Sequence, residues 1–240
     1  MSTGARLIHG FTATPACMET LAEPLRKAGF LVEAPLLAGH GTTARDLFKT
    51  TWTDWYQSVR EAYEKLRSKT DSVCVAGLSL GGLLALKLAL DCPVERLALL
   101  ATPVIFTGFV MEKIVPIVGG SPALSSLYRY QPKFGGPAIN DPEGRERFKS
   151  YTKMPLRSVM EIIRLQQDIR PRLSEIKIPV LILHSSHDST APYANMDYFK
   201  SHLGSKNIRA VTLEKSDHVI TLDYERDLVA REVSQFFKAG

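Results

Sequence analysis

The sequence has 240 residues, of which 45% are hydrophobic and 23% are charged, and its formal net charge is +5. This composition is ordinary for a folded globular domain and excludes an intrinsically disordered chain. No run of about 18 or more uninterrupted apolar residues is present, so the sequence predicts no membrane-spanning helix.

Short apolar segments alternate with amphipathic segments through the first hundred residues. Strands are predicted at 6–8, 31–34, 72–77 and 96–101, and helices at 16–28, 52–68 and 80–91. The alternation stops after Pro103 and resumes with strands at 180–183 and 208–213 and helices at 193–203 and 224–238. The interruption, 104–177, is expected to be helical, with an apolar face formed by Phe106, Phe109, Val110, Ile114 and Val115.

Alternating strands and helices predict an α/β fold, with a mostly parallel central sheet covered by helices on both faces. We expect one domain over 1–240, with 104–177 inserted as a small helical cap. Ligands of such sheets bind at the carboxyl ends of the strands, and the insertion is expected to lie over that edge.

The pentapeptide Gly77-Leu78-Ser79-Leu80-Gly81 stands between a predicted buried strand and a predicted helix. A nucleophilic serine must project from a tight strand-to-helix turn, where bulky side chains two positions before and after it would collide. The turn also directs the backbone N–H of Leu80 toward an oxygen that develops negative charge. The pattern predicts Ser79 as a nucleophile, and an ordinary turn is the alternative interpretation.

A serine hydroxyl needs a base within hydrogen-bonding distance, and that base needs an acceptor to orient it. Among the six histidines, His218 directly follows a predicted strand and precedes the last helix, where a loop-borne base is expected. Asp188 also follows a strand, and it lies between Ser79 and His218 in the chain. We therefore predict Ser79, Asp188 and His218 as the catalytic residues.

Other acidic residues are weaker candidates for the orienting role. Asp217 is adjacent to His218, so the two side chains are expected to point apart. Asp223 is expected to help cap the last helix, and Asp168 falls inside the insertion.

The loop after the first strand, 9–15, is the candidate for a second oxyanion donor. Gly10 allows the chain to turn, and Phe11 is placed to donate its N–H while its ring lines a pocket. A His-Gly pair before a helix also occurs as plain structure. Once Ser79 is accepted as nucleophile, we predict that the N–H groups of Phe11 and Leu80 form the oxyanion hole.

The net charge is concentrated in the insertion. Residues 104–177 contain 12 Lys/Arg and 7 Asp/Glu, whereas the rest of the chain contains 18 of each. This segment could attract anionic substrates or make peripheral contact with an anionic membrane surface, and solvated helix faces are the alternative. No basic and aromatic residues interleave as in a nucleic-acid-binding module, so no nucleic-acid partner is expected.

The chain contains three cysteines, Cys17, Cys74 and Cys92, without a C-x-x-C pair. We expect free thiols in a reducing cytoplasm and no metal site built on them. The N-terminus lacks the basic and apolar regions of a signal peptide, which also favours a cytoplasmic location.

These motifs together resemble the small bacterial carboxylesterases and monoacylglycerol lipases of the α/β-hydrolase superfamily. The segments that carry the resemblance are 9–15, 39–41, 77–82, Asp188 and 216–223. The resemblance implies a triad of Ser79, Asp188 and His218, a small helical cap, no metal and no cofactor. It also implies small ester or lipid substrates with short-to-medium acyl chains, or monoacylglycerols. The sequence departs from the group at His187, which precedes the acid, and in the strongly basic cap.

Other functions share this fold and these residue types, because a fold does not fix a function. The same site could transfer the acyl group to an alcohol or thiol other than water, or act on carbon–carbon bonds. From a different class, the chain could be a ligand-binding protein with little turnover. A haloalkane dehalogenase is disfavoured because Ser79 stands where an aspartate would be required.

Overall fold

The computed structural model describes residues 2–106, 129–132 and 136–239, together with Ile117, Ser121 and Leu124. The strands in these parts are β1 Thr3–Ile8, β2 Leu31–Glu33, β3 Ser72–Leu78, β4 Leu97–Leu100, β5 Tyr130–Pro132, β6 Lys153–Pro155, β7 Val180–Ser185 and β8 Ile208–Leu213. The α-helices are α1 Glu19–Lys27, α2 Ala44–Lys49, α3 Trp52–Arg67, α4 Leu80–Asp91, α5 Pro142–Arg147, α6 Leu156–Ile169, α7 Ala194–His202 and α8 Arg226–Lys238. Short 3₁₀ turns cover Pro15–Met18 and Arg170–Glu175.

The main sheet has six strands in the order β2-β1-β3-β4-β7-β8, and every neighbouring pair is parallel. The predicted parallel sheet is therefore confirmed. The chain runs from β1 outward to β2 and then returns past β1 to β3, so the strand order reverses between β1 and β3. Ligands of open parallel sheets bind beside such a reversal, at the carboxyl ends of the strands.

Two apolar cores lie on opposite faces of this sheet. Along β4, Leu97 and Leu99 belong to one core and Ala98 and Leu100 to the other, as expected for a strand buried on both faces. The first core includes side chains of α3, α4, α6 and α7, and the second includes side chains of α1 and α8. The prediction of helices on both faces is confirmed.

The insertion is not wholly helical, which corrects the prediction for 104–177. α5 and α6 are helices, but β5 and β6 pair as a small antiparallel sheet. Pro132 and Pro155 end these two strands, and proline lacks the N–H that a helix interior needs. Of the predicted apolar face, Phe109, Val110, Ile114 and Val115 lie outside the described residues.

Described parts of the insertion contact loops at the carboxyl edge of the sheet. The Tyr151 hydroxyl donates to the Gly39 carbonyl at 2.8 Å and accepts from the Thr42 N–H at 3.0 Å, in the loop after β2. The Val219 N–H, in the loop after β8, donates to the Ala138 carbonyl at 3.1 Å. The described helices include none with the length and apolar character required to cross a bilayer.

Candidate active site

Ser79 occupies the single position between the end of β3 and the start of α4. Its backbone angles are φ 54° and ψ −118°, which are strained for a residue with a side chain. The turn is held by hydrogen bonds from the Ser79 N–H to the Leu100 carbonyl at 2.8 Å and from the Gly82 N–H to the Ser79 carbonyl at 2.9 Å. The surrounding structure therefore maintains a conformation that projects the serine side chain from the sheet edge.

The glycines around Ser79 allow three backbone segments to approach closely. An added Cβ on Gly77 would overlap the carbonyl oxygen of Gly81, and one on Gly81 would overlap the carbonyl oxygen of Ile8 in β1. A Cβ on Gly82 would overlap the hydroxyl of Thr102. Side chains at Gly77 and Gly81 would therefore collide with backbone atoms, as the pentapeptide predicts. Gly82 is needed because a side chain there would collide with Thr102.

The structure brings the three predicted catalytic residues into one hydrogen-bonded array. His218 Nε2 lies 2.8 Å from Ser79 Oγ, and His218 Nδ1 lies 2.8 and 3.0 Å from the two carboxylate oxygens of Asp188. Because the carboxylate only accepts, Nδ1 carries a proton and donates to Asp188. Neutral His218 consequently presents an unprotonated Nε2 to the serine hydroxyl.

The Asp188 side chain is fully buried and its charge is compensated on several sides. Burial acts to raise the pKa of Asp188, but His218 and hydrogen bonds from His184, His218 and the Ala191 N–H outweigh it, so the pKa lies well below its ordinary value. The Thr190 and Ala191 N–H groups donate to Oδ1 at 2.9 and 2.7 Å. Asp188 is therefore an anion at neutral pH.

The loops that carry Asp188 and His218 are bonded to one another. Asp217 points away from His218, as expected, and accepts from the Ser189 N–H and hydroxyl at 2.8 Å. The Ser185 hydroxyl, at the end of β7, donates to the Ser216 carbonyl at 2.5 Å. These contacts fix the separation of the acid and the base before any ligand binds.

The expectation that Asp223 caps the last helix is wrong, because Glu225 occupies the N-cap of α8. Asp223 is instead fully buried at the base of the His218 loop. Its carboxylate accepts hydrogen bonds of 2.7–2.9 Å from four backbone N–H groups, those of Asn140, Asp141, Asp217 and Tyr224. One side chain thereby joins the histidine loop to the insertion.

Glu225 holds the other half of the same loop. Its carboxylate accepts from the backbone N–H groups of Glu214, Lys215 and Ser216 and from the Ser216 hydroxyl, at 2.8–3.2 Å. Partial burial acts to raise the pKa of Glu225, but these donors outweigh it and the pKa is lowered. Sequence reasoning missed this role, and the signal was an acidic residue directly before a helix and close to a loop-borne histidine.

The predicted oxyanion donors follow the two strands that flank the reversal of strand order: Phe11 lies in the loop after β1, and Leu80 begins α4 after β3. An added Cβ on Gly10 would lie 3.5 Å from the Ser79 Cβ, so the loop after β1 passes directly beside Ser79. In the part of the chain that the structure describes, the N–H groups of Phe11 and Leu80 are bonded to no other group. Both donors are therefore open to an oxygen at this position.

His9 stabilises this loop, a role that sequence reasoning missed. The Leu37 N–H donates to His9 Nε2 at 3.2 Å, so Nδ1 carries the proton and donates to the Gly10 carbonyl at 2.9 Å. Burial lowers the pKa of His9 to about 4, only partly offset by the bond to Gly10. His9 is therefore neutral at pH 7, and its position directly before Gly10 was the signal available in the sequence.

The remaining candidates lie outside this array. His187 is exposed, and Asp168 forms an ion pair with Lys87 at 3.0 Å on the outer side of α4 and α6. Cys17, Cys74 and Cys92 are unpaired thiols. Across residues 2–106 and 136–239, His, Cys, Asp and Glu form no group of three suited to a metal ion.

Comparison with known proteins places the chain among hydrolases. Residues 6–225 match the family described as serine aminopeptidase, S33. The chain is 35% identical to a thermostable monoacylglycerol lipase of Bacillus sp. (strain H-257), with 98% of this chain and 90% of the lipase aligned. It is 32% identical to a carboxylesterase of Bacillus subtilis (strain 168), with 97% and 91% aligned. A solved structure from work on the metagenome-derived lipolytic enzymes LipS and LipT superposes with a TM-score of 0.91 at 25% identity, covering 99% of this chain and 94% of that one.

Proposed function

Because this chain belongs to the serine aminopeptidase S33 family, we propose that it is a serine hydrolase that cleaves carboxylic esters through an acyl-enzyme intermediate. The observation that carries the proposal is the array in which Ser79, His218 and Asp188 are joined by hydrogen bonds of 2.8–3.0 Å. The α/β-hydrolase fold is confirmed by the parallel sheet and by the similar lipolytic structure.

The first half of the reaction forms the acyl-enzyme. His218 Nε2 accepts the proton of the Ser79 hydroxyl as Oγ attacks the ester carbonyl carbon. The N–H groups of Phe11 and Leu80 then donate to the oxyanion, and the start of α4 adds a favourable dipole. His218 returns its proton to the leaving alcohol when the carbon–oxygen bond breaks, while anionic Asp188 stabilises the transient imidazolium.

The second half repeats these steps with water. His218 accepts a proton from a water molecule, whose oxygen attacks the acyl carbon, and the same two N–H groups stabilise the second tetrahedral intermediate. Collapse of this intermediate releases the carboxylic acid and restores the Ser79 hydroxyl. Every proton that leaves an oxygen passes through His218 Nε2, so the reaction needs no group beyond those described.

We propose esters of short-to-medium acyl chains, or monoacylglycerols, as substrates. The Phe11 side chain is half-buried and, like Met154 and Ile163, packs against a small apolar cluster in the insertion formed by Val159 and Met160. Such a surface excludes water from the acyl chain beside the oxyanion donors. The names of the two similar Bacillus enzymes, a monoacylglycerol lipase and a carboxylesterase, support this substrate class.

The boundary of the cap and the location of the protein also stay proposals. We place the cap at 104–177 within a single domain 1–240, supported by the contacts of Tyr151 and Ala138 with loops at the sheet edge. We propose a cytoplasmic location, supported by three unpaired cysteines.

Hydrolysis of p-nitrophenyl acetate, butyrate, octanoate and palmitate tests the proposal. We expect the highest kcat/KM at a short or medium chain, and a loss of at least about 10⁴-fold in Ser79→Ala because the nucleophile is removed. A monoacylglycerol is assayed in parallel by release of free fatty acid. Ser234→Ala, at a buried position of α8 outside the array, is the matched control and is expected to retain activity.

Three results would contradict the proposal. If the folded wild type releases no p-nitrophenol from any of the four esters, the proposal of ester hydrolysis is wrong. If Ser79→Ala is as active as Ser234→Ala, the assignment of Ser79 as the nucleophile is wrong. If an aminoacyl p-nitroanilide is cleaved faster than every ester, the enzyme is an aminopeptidase, as the family description reads.

A further inference from the structure

A second histidine contacts the carboxylate of Asp188, and the proposed reaction gives it no role. His184 is the penultimate residue of β7, and its side chain is fully buried. An imidazole without hydrogen bonds in such a place would cost free energy, so its partners indicate why it is retained. The ring lies nearly perpendicular to the ring of Tyr193, whose hydroxyl is bonded to Thr212 on β8.

The contacts of His184 indicate which ring nitrogen carries a hydrogen. Its Nε2 lies 3.0 Å from the Ala191 carbonyl oxygen and 3.3 Å from Asp188 Oδ2. The Ala191 carbonyl only accepts, so Nε2 carries a hydrogen and donates it there, with Asp188 Oδ2 in polar contact with the same nitrogen. Nδ1 is buried and has no hydrogen-bond partner among the described residues, which leaves His184 with a single productive donor.

The two oxygens of Asp188 are held differently. Oδ1 accepts from the backbone N–H groups of Thr190 and Ala191. Oδ2 makes the shorter bond to His218, at 2.8 Å, and among the described residues the other side-chain nitrogen in contact with it is His184 Nε2, at 3.3 Å. The oxygen nearer to His218 Nδ1 is therefore contacted by a second side chain and not by backbone.

We infer that His184 is a positioning residue, whose Nε2–H holds Asp188 Oδ2 in line with His218 Nδ1 and withdraws part of the carboxylate charge from His218. The inference rests on the proposed function of the array. A donor to a carboxylate makes that carboxylate a weaker partner for a second proton. Without His184, Asp188 would stabilise the protonated form of His218 more strongly but hold the ring less rigidly.

Few other ionisable groups face this pair. His218 contacts Ser79 through Nε2 and Asp188 through Nδ1, and Asp217 is turned toward Ser189. The Tyr193 ring lies nearly perpendicular to that of His184, and its hydroxyl is bonded to Thr212. Removal of the His184 N–H should accordingly change the properties of His218 through Asp188.

Replacement of His184 by methionine and by glutamine separates the effect of its N–H group from the effect of its side-chain volume. The two side chains have similar length, but only glutamine offers an N–H near the position of Nε2. We expect His184→Met to lower kcat on p-nitrophenyl butyrate by about 10-fold or more, as for loss of a hydrogen bond to a charged group, with KM little changed. The acidic limb of the pH profile of kcat/KM should move to higher pH in His184→Met and return toward the wild-type position in His184→Gln.

The exposed His202 on α7 supplies the control, because His202→Met makes the same substitution away from the array. The inference is overturned if His184→Met and His184→Gln have the same kcat and the same acidic limb, or if neither differs from wild type. A loss of activity that follows only the loss of thermal stability in both variants also overturns it, since that result indicates a packing role.

A proton NMR measurement keeps this test separate from the proposed function. The His218 Nδ1–H that bonds Asp188 should give a strongly downfield resonance in the protein without substrate. This resonance should shift in His184→Met and be near its wild-type position in His184→Gln, whether or not any ester is hydrolysed. An unchanged resonance in His184→Met would contradict the inference, whereas failure of ester turnover alone would contradict only the proposed function.

Discussion

At the scale of single residues, His9 links the stability of the protein to pH. Its ring is fully buried, and its two nitrogens hold the Leu37 N–H and the Gly10 carbonyl. Burial lowers its pKa from 6.5 to about 4. The unfolded chain therefore binds a proton at a pH where the folded protein does not, and stability must decrease as the pH falls from about 6.5 toward 4.

We predict that His9 lowers the free energy of unfolding by about 2 kcal/mol between pH 7 and about pH 5, from the difference between its two pKa values. Urea unfolding of wild type and His9→Gln at both pH values measures this contribution. The variant should lose less stability on acidification, whereas His202→Gln, at an exposed site, should behave as wild type. Equal losses in wild type and His9→Gln would contradict the prediction.

At the scale of secondary-structure elements, the turn between β3 and α4 depends on contact with β1. Gly81 lies against the carbonyl of Ile8, the last residue of the strand that leads to Gly10 and Phe11. A side chain at position 81 cannot be relieved by rotating a flexible neighbour, because the atom it meets belongs to the backbone. Any accommodation must move the nucleophile and the proposed oxyanion loop apart.

We predict that Gly81→Ala lowers kcat by about 100-fold or more, comparable to loss of an oxyanion donor, and destabilises the fold by about 1–3 kcal/mol through overpacking. Kinetics on p-nitrophenyl butyrate and thermal unfolding measure the two effects. Gly29→Ala is the control, because Gly29 has φ +91° but no atom within 4 Å of an added Cβ. The control should cost about 1–2 kcal/mol and leave kcat unchanged. Similar kcat values for the two variants would show that contact with β1 is unimportant.

The elements that could be predicted from the sequence are those with local signals. Ser79, Asp188 and His218 each follow a strand whose apolar run is visible in the sequence, and parallel strands bring those ends to one edge. The strand predicted at 72–77 is observed as Ser72–Leu78, and the helix predicted at 80–91 as Leu80–Asp91. The pattern of apolar residues was sufficient because the strand lies inside the sheet and the helix packs against it.

Features that depend on distant partners could not be predicted. Asp223 and Asn140 are separated by 83 residues, so nothing near Asp223 indicated that its carboxylate would bind the insertion. His184 had the pattern of a core residue, and its bond to Asp188 depends on the turn that follows β7. The helix α2 was missed because it has six residues and one buried side chain, and the Thr43 side chain, which accepts from the Asp46 N–H, was its main signal.

At the scale of the whole molecule, positive charge is unevenly distributed. Several basic side chains of the insertion are neutralised locally, as in the pairs Arg147–Glu143 and Arg172–Glu175. Arg129 and Arg157 instead lie over the Phe48 ring, at 5.1 and 5.6 Å from its centre, and form no ion pair within the described residues. These two arginines leave their charge available to an anionic surface.

We predict that a monoacylglycerol is hydrolysed faster in anionic phosphatidylglycerol vesicles than in neutral phosphatidylcholine vesicles, because the insertion attracts the anionic surface. The advantage should disappear at about 1 M salt, where the screening length is about 3 Å. Arg157→Glu should remove it, and Lys206→Glu, at the amino-terminal edge of the sheet, should retain it. Equal rates on the two vesicles at low salt would contradict peripheral membrane contact through the insertion.

The buried carboxylate of Asp223 also limits how this protein can be recombined with its relatives. Two of its four donors, the N–H groups of Asn140 and Asp141, belong to the insertion, and the Ala138 carbonyl accepts from Val219 in the histidine loop. A chimera that exchanged 104–177 as one block would place foreign backbone against the loop that carries His218. A graft whose second junction precedes Ala138 would keep the native support of His218.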